Sequence, residues 1–129
     1  MNAAPEFVWE AIKDVGAVHS RLARGFVTST ELFESTRTVT FANGFVVQEQ
    51  IVSVSDEHCR LAYRAVGGSA SHHNAYFQVL PVPGDGHTAR VLWVTDLLPD
   101  EMRSPIGQMM ELGSQAIQNT IAEAYRSQQ

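Results

Sequence analysis

Two periods of apolar residues divide the chain. From Phe26 to Leu98 the repeat is two, with runs rich in threonine, valine and phenylalanine; these predict strands. They are Phe26–Phe33, Thr36–Phe41, Phe45–Val54, His58–Val66, Asn74–Leu80 and Thr88–Leu98. Asn43-Gly44 is the strongest hairpin signal, and Pro83-Gly84-Asp85-Gly86 marks a second turn. Outside this block the repeat changes to about 3.6. Pro5–Val15 predicts a first helix, with Val8, Ala11, Ile12 and Val15 on one face and Gly16 as a stop. Ala17–Ala23 predicts a short second one, with Val18 and Leu22 inward.

Asp100–Arg126 predicts one long helix, in which Pro105 either sits in the first turn or forces a short break. Ile106, Met109, Met110, Gly113, Ile117, Thr120, Ile121 and Ala124 share a face, opposite Gln108, Glu111, Gln115, Gln118, Asn119, Glu123 and Arg126. Gly113 costs about 1 kcal/mol against alanine within a helix. Either a close neighbour or a ligand accounts for it, or the face is a core face with a soft patch.

Consecutive strands with short turns make an antiparallel meander. One face of such a sheet must be covered, and only the long helix is big enough. The expected fold is α+β: a curved antiparallel sheet of about six strands wrapped around a long C-terminal helix, in one domain over residues 1–129.

Composition narrows the function. At 129 residues with 44% hydrophobic content, the chain can bury a core without staples. A net charge of −5, with scattered basic residues, argues against a nucleic-acid partner. No apolar run has transmembrane length, so membrane insertion is not expected, and no signal peptide opens the chain. The one cysteine, Cys59, suits a reducing compartment; the cytoplasm is the expected location. No Ser-His-Asp set, phosphate-cradling glycine loop or dinucleotide fingerprint is present, and no cofactor is expected. The adjacent His72 and His73 point to opposite faces of a strand, and no other pairing has ligand spacing, so no metal is expected.

Several local motifs lie in order along nearly the whole chain. They are Ala4-Pro5-Glu6-Phe7-Val8-Trp9, Ser35-Thr36-Arg37-Thr38-Val39, Asn43-Gly44 followed by Glu49, Arg60-Leu61-Ala62-Tyr63, His73-Asn74-Ala75, and Trp93 ahead of Pro99. Together they resemble the START-like or SRPBCC superfamily, the helix-grip fold, and within it the bacterial polyketide cyclase/dehydrase branch. The superfamily also includes plant abscisic-acid receptors and the birch pollen allergen. The resemblance implies an apolar cavity between sheet and long helix that holds a small hydrophobic molecule. One departure stands out: such proteins carry a strand before the first helix, and here only Met1–Ala3 precede it. A missing edge strand would expose its neighbour to pairing with a second copy, giving a homodimer.

Candidate site residues follow from alternation and from the resemblance. Glu49 sits among Val46, Val47, Ile51 and Val52, in phase with Val47 and Ile51. It either faces solvent beside Gln48 and Gln50 or lines the cavity; the resemblance favours the cavity, where burial would suit it as a general base. Tyr63 shares a face with Leu61 and Ala65, as a hydroxyl donor to a ligand or as a core tyrosine. The resemblance puts Ala75 and Phe77 inward. Leu92 and Val94 are favoured inward on the last strand, with Trp93 the rival. Met109, Met110, Gly113 and Ile117 would form the helix wall, methionine adapting to irregular ligands. Arg24 and His72 are the candidates for the cavity mouth, although a surface arginine and a turn histidine are the plainer readings.

The expected function is binding of a small hydrophobic molecule, polyketide-, lipid- or aromatic-like. Two alternatives stand beside it. One is a cyclase or dehydratase with Glu49 as base and Tyr63 as acid. The other is a protein-interaction module of the same fold.

Overall fold

The computed structural model describes all residues, Met1–Gln129. Helix α1 spans Pro5–Lys13, with proline at its first positions and Val8, Trp9, Ala11 and Ile12 buried. It ends two residues before Val15, the expected last residue. Asp14 leaves the helical region, and its carbonyl accepts the Ala17 N–H (3.0 Å). The next segment, Val18–Leu22, is a π-helical turn closed by Ala23 N–H to Val18 C=O (2.8 Å). Its wider winding leaves both Val18 and Leu22 buried.

Six strands follow: β1 (Val27–Phe33), β2 (Thr36–Phe41), β3 (Val46–Ser55), β4 (Arg60–Val66), β5 (His72–Val82) and β6 (Asp85–Leu98). They form one antiparallel sheet in chain order, the meander that the short turns imply. Gly44 (φ 92°) supplies the left-handed residue of the β2–β3 turn, and Asn43 Oδ1 accepts the Phe45 N–H (3.0 Å). Irregular register at Val27/Ser29, Ile51/Ser53 and Pro81/Val82 helps the sheet curl.

Strands β5 and β6 run longer than their apolar patterns. Pro81 sits within β5, opposite Ala89. The β4 ladder ends at Arg60↔Gln78, so Pro81 lies where β5 has no neighbour on that side and a missing N–H costs nothing.

A 3-10 turn at Asp100–Met102 leads into α2 (Arg103–Ser127), with Pro105 inside its first turn. Gly113, Ile117, Thr120 and Ile121 are buried, and Ile106, Met109 and Met110 are half-buried. Every residue of the opposite polar face is exposed. The core gathers Val8, Ile12, Val39, Leu61, Phe77 and Ile121 between sheet and helices. Trp9 ties α1 to the β3–β4 turn: its Nε1 donates to Asp56 Oδ1 (2.8 Å), which also takes Lys13 Nζ (3.2 Å). The fold is the helix grip.

Ahead of α1 there is no strand. Met1 alone bridges β6, its amino group donating to Ala89 C=O (2.8 Å) and its carbonyl accepting from Ala89 N–H (3.0 Å). No helix is long and apolar enough to cross a membrane.

Candidate functional site

A cavity of about 350 Å³ lies between the concave face of the sheet and α2. That volume falls within the range of about 300–1,000 Å³ usual for small-molecule sites. Most of its wall is apolar. Val39, Val47, Ala65 and Phe77 come from the inward positions of β2 to β5, and Met109, Met110, Gly113 and Ile117 from α2. The π turn adds Val18 and Leu22, and the approach to β1 adds Phe26. The exposed wall residues identify the mouth: Phe45 and Val46 from the β2–β3 hairpin, Gly67–Ser69 from the β4–β5 loop, and Pro105 from the start of α2.

One region of the wall is polar. Arg37 on β2 and Glu49 on β3 are register partners, and Arg37 Nε donates to Glu49 Oε1 at 2.8 Å. The pair is withdrawn from water, with side chains 3% and 13% exposed. An Arg37 Nη also reaches Val15 C=O (3.4 Å), and the guanidinium lies 5.1 Å from the Tyr63 ring centre. This is the arrangement a buried charge requires: an opposite charge, further hydrogen bonds and an aromatic face.

Tyr63, Phe77 and Trp93 form a ladder of rings across β4, β5 and β6. Phe77 and Trp93 stack with centres 4.8 Å apart, and Tyr63 and Phe77 with centres 6.3 Å apart. Trp93 Nε1 donates to the Tyr63 hydroxyl at 3.1 Å. Burial raises the Tyr63 hydroxyl above its ordinary range, with the Glu49 charge acting the same way. It therefore stays protonated and able to donate. His73 also lines the cavity; burial lowers its pKa, Glu49 opposing and His72 reinforcing the shift. Thr95 Oγ1, on the same wall, is buried without a hydrogen-bond partner.

Of the residues proposed from sequence, Val47, Glu49, Tyr63, Ala65, Phe77, Met109, Met110, Gly113 and Ile117 meet at this cavity. Others lie elsewhere. Leu61 and Ala75 are buried in the core without reaching the cavity, and Ile51 is half-buried against that core. Leu92 lines a second pocket between β6 and α2, with Val94 and Gln118, and not the cavity, which Trp93 lines. Burying the indole with a partner for its N–H outweighs burying Leu92. Arg24 is exposed; its side chain turns back to Ser20 C=O (3.3 Å) and its backbone N–H donates to Thr120 Oγ1 (3.0 Å). His72 is exposed too, and its neighbour His73 takes the cavity side of β5.

Arg37, His73, Trp93 and Thr95 complete the polar region. Phase exposes the first two: Arg37 alternates with Val39 and Phe41, and His73 with Ala75 and Phe77. No three His, Cys, Asp or Glu side chains come together as a metal site would need.

By sequence, no family profile and no curated protein matches the chain. By structure, many solved chains do. An uncharacterized protein of Bacillus thuringiensis superposes with a TM-score of 0.82 at 18% identity, over 94% of this chain and 93% of its own. A START superfamily protein from Mycobacterium smegmatis gives 0.73 at 10% identity, over 100% and 94%. The Zhui aromatase/cyclase from Streptomyces gives 0.72 at 15% identity, over 97% and 88%. At such identities the likeness speaks to architecture. The curved six-stranded sheet, the gripped C-terminal helix and these superpositions together give the chain the fold of the START-like superfamily.

Proposed function

We propose that the chain binds a small hydrophobic molecule, polyketide-like or aromatic, in the cavity between sheet and α2. The observation that carries this reading is the cavity itself: about 350 Å³, mostly apolar, with one polar region and two methionines in its wall. Such a site removes apolar ligand surface from water and orients the ligand by a few hydrogen bonds. The START-fold relatives, one of them an aromatase/cyclase, support it by analogy. Native mass spectrometry of freshly purified protein tests it, followed by titration with the fluorescent apolar probe 1-aminoanthracene. A bound small molecule, or saturable probe binding abolished by the cavity-filling variant Ala65→Trp, is the expected result. Bare protein that also ignores the probe would overturn the reading.

A second reading is catalytic. Glu49 and Tyr63 line the same cavity, and one guanidinium touches both. In it, Glu49 takes a proton from a bound polyketide-like chain and the Tyr63 hydroxyl returns one. Positioned acid–base groups contribute about 10²–10⁴-fold in rate. Turnover of an identified ligand that falls in Glu49→Gln and Tyr63→Phe supports this reading; unchanged turnover in the double variant excludes it.

A further inference from the structure

The cavity wall carries four titratable side chains, Arg37, Glu49, Tyr63 and His73, and every other residue on it is uncharged. Arg37 and Glu49 cancel at 2.8 Å. Tyr63 and His73 are both held toward their neutral forms by burial. The polar region thus offers hydrogen bonds without offering charge. Arg37 keeps N–H groups beyond those given to Glu49 and Val15 C=O. Tyr63 accepts from Trp93 and still has its own proton to donate. Thr95 Oγ1 is buried and unpartnered.

We propose that the cavity selects neutral molecules bearing a hydroxyl, phenol or carbonyl group and rejects the carboxylate of the same skeleton, because Glu49 cancels the one cation on the wall. This rests on the reading of the cavity as a ligand site. A hydroxyl or carbonyl entering the cavity exchanges water for the Arg37 or Tyr63 partner at small net loss. A carboxylate gives up far more hydration, and an already neutralised guanidinium returns little of it. The ion pair therefore acts as a specificity filter. Removing one partner should change the charge of ligand that is admitted, beyond weakening binding in general.

The test uses three anthracenes of similar shape: 2-(hydroxymethyl)anthracene, anthracene-2-carboxylate and 2-(aminomethyl)anthracene as its ammonium form. They are titrated by fluorescence at neutral pH into the wild type, Glu49→Gln, Arg37→Gln and the double variant. In the wild type the alcohol binds about 100-fold more tightly than the carboxylate. Glu49→Gln unmasks Arg37 and raises carboxylate affinity about 10-fold or more. Arg37→Gln unmasks Glu49 and raises ammonium affinity instead. The double variant, neutral again, keeps the preference for the alcohol and serves if a single variant does not fold. Equal or tighter binding of the carboxylate by the wild type overturns the filter and leaves the ligand site standing. So do an unchanged carboxylate affinity in folded Glu49→Gln and an unchanged ammonium affinity in folded Arg37→Gln. No binding of any of the three to the wild type overturns both.

Discussion

The indole N–H of Trp93 donates to the hydroxyl of Tyr63 at 3.1 Å, joining β6 to β4 across the intervening β5. Phe77 stacks against both rings, so the hydrogen bond closes a three-ring unit that forms part of the cavity wall. Tyr63→Phe should cost about 1–2 kcal/mol in urea unfolding, because it strands the indole donor. In a Trp93→Phe background the same change should cost much less, since the buried hydroxyl there has already lost its partner. An equal cost in both backgrounds would show that the bond carries no energy.

The Arg37–Glu49 pair should behave asymmetrically under mutation. Removing one partner leaves a charge in a site with little water, at a cost of about 3–5 kcal/mol. Replacing both, as in Arg37→Met with Glu49→Gln, should cost well under the sum of the single changes. Additive losses in urea unfolding would mean that the two side chains are not energetically coupled.

Gly113 is buried on the cavity face of α2. A Cβ there would stand 3.1 Å from Phe26 Cε2 and from Trp93 Cζ3. Alanine offers about 1 kcal/mol of helix propensity. Overpacking costs about 1–3 kcal/mol when neighbours cannot retreat. Trp93 is held by its stack and its hydrogen bond, and Phe26 packs edge-on against Phe41. Gly113→Ala should therefore destabilise by about 1 kcal/mol. A stabilised variant would show that the rings withdraw into the cavity.

His73 gives a pH signature. Burial lowers its folded pKa below the ordinary 6.5, with Glu49 opposing and His72 reinforcing the shift. The unfolded chain then binds a proton more readily than the folded one. The contribution to stability is full above the unfolded pKa and is lost as pH falls through the folded value. Urea midpoints should drop from neutral toward mildly acidic pH, and His73→Gln should flatten part of that drop. Identical pH profiles for the two proteins would sink the assignment.

Much of the architecture is written in local pattern. The period-two runs and Asn43-Gly44 place the strands and the tightest turn, and the 3.6 repeat assigns both faces of α2. What local pattern misses depends on partners distant in the chain. The apolar pattern ends the fifth strand at Leu80, whereas β5 runs through Pro81 because β4 stops short of it. The π turn follows from one hydrogen bond, Ala23 to Val18, that no periodicity encodes. Arg37 looks like an ordinary strand arginine until Glu49 is found opposite it. Trp93 outweighs Leu92 because Tyr63, thirty residues earlier, offers its N–H an acceptor. Hydrophobicity thus marks the container, whereas the chemistry inside it arises from cross-strand pairs.

The rim and the polar region stand on different kinds of backbone. The rim comes from two strand connections and the start of a helix, while Arg37, Glu49, Tyr63 and Thr95 stand on paired strands. Doubling a connection's length costs only about 0.6 kcal/mol of closure entropy. A one-residue slip in a strand turns every side chain to the opposite face. If the cavity holds the proposed ligand, insertions at Gly67–Ser71 would change the size it admits at small cost, whereas a change in the polarity it admits would require substitution in place. Aperture and polarity would then be separately adjustable, so that a redesigned rim loop leaves the Arg37–Glu49 pair in its register.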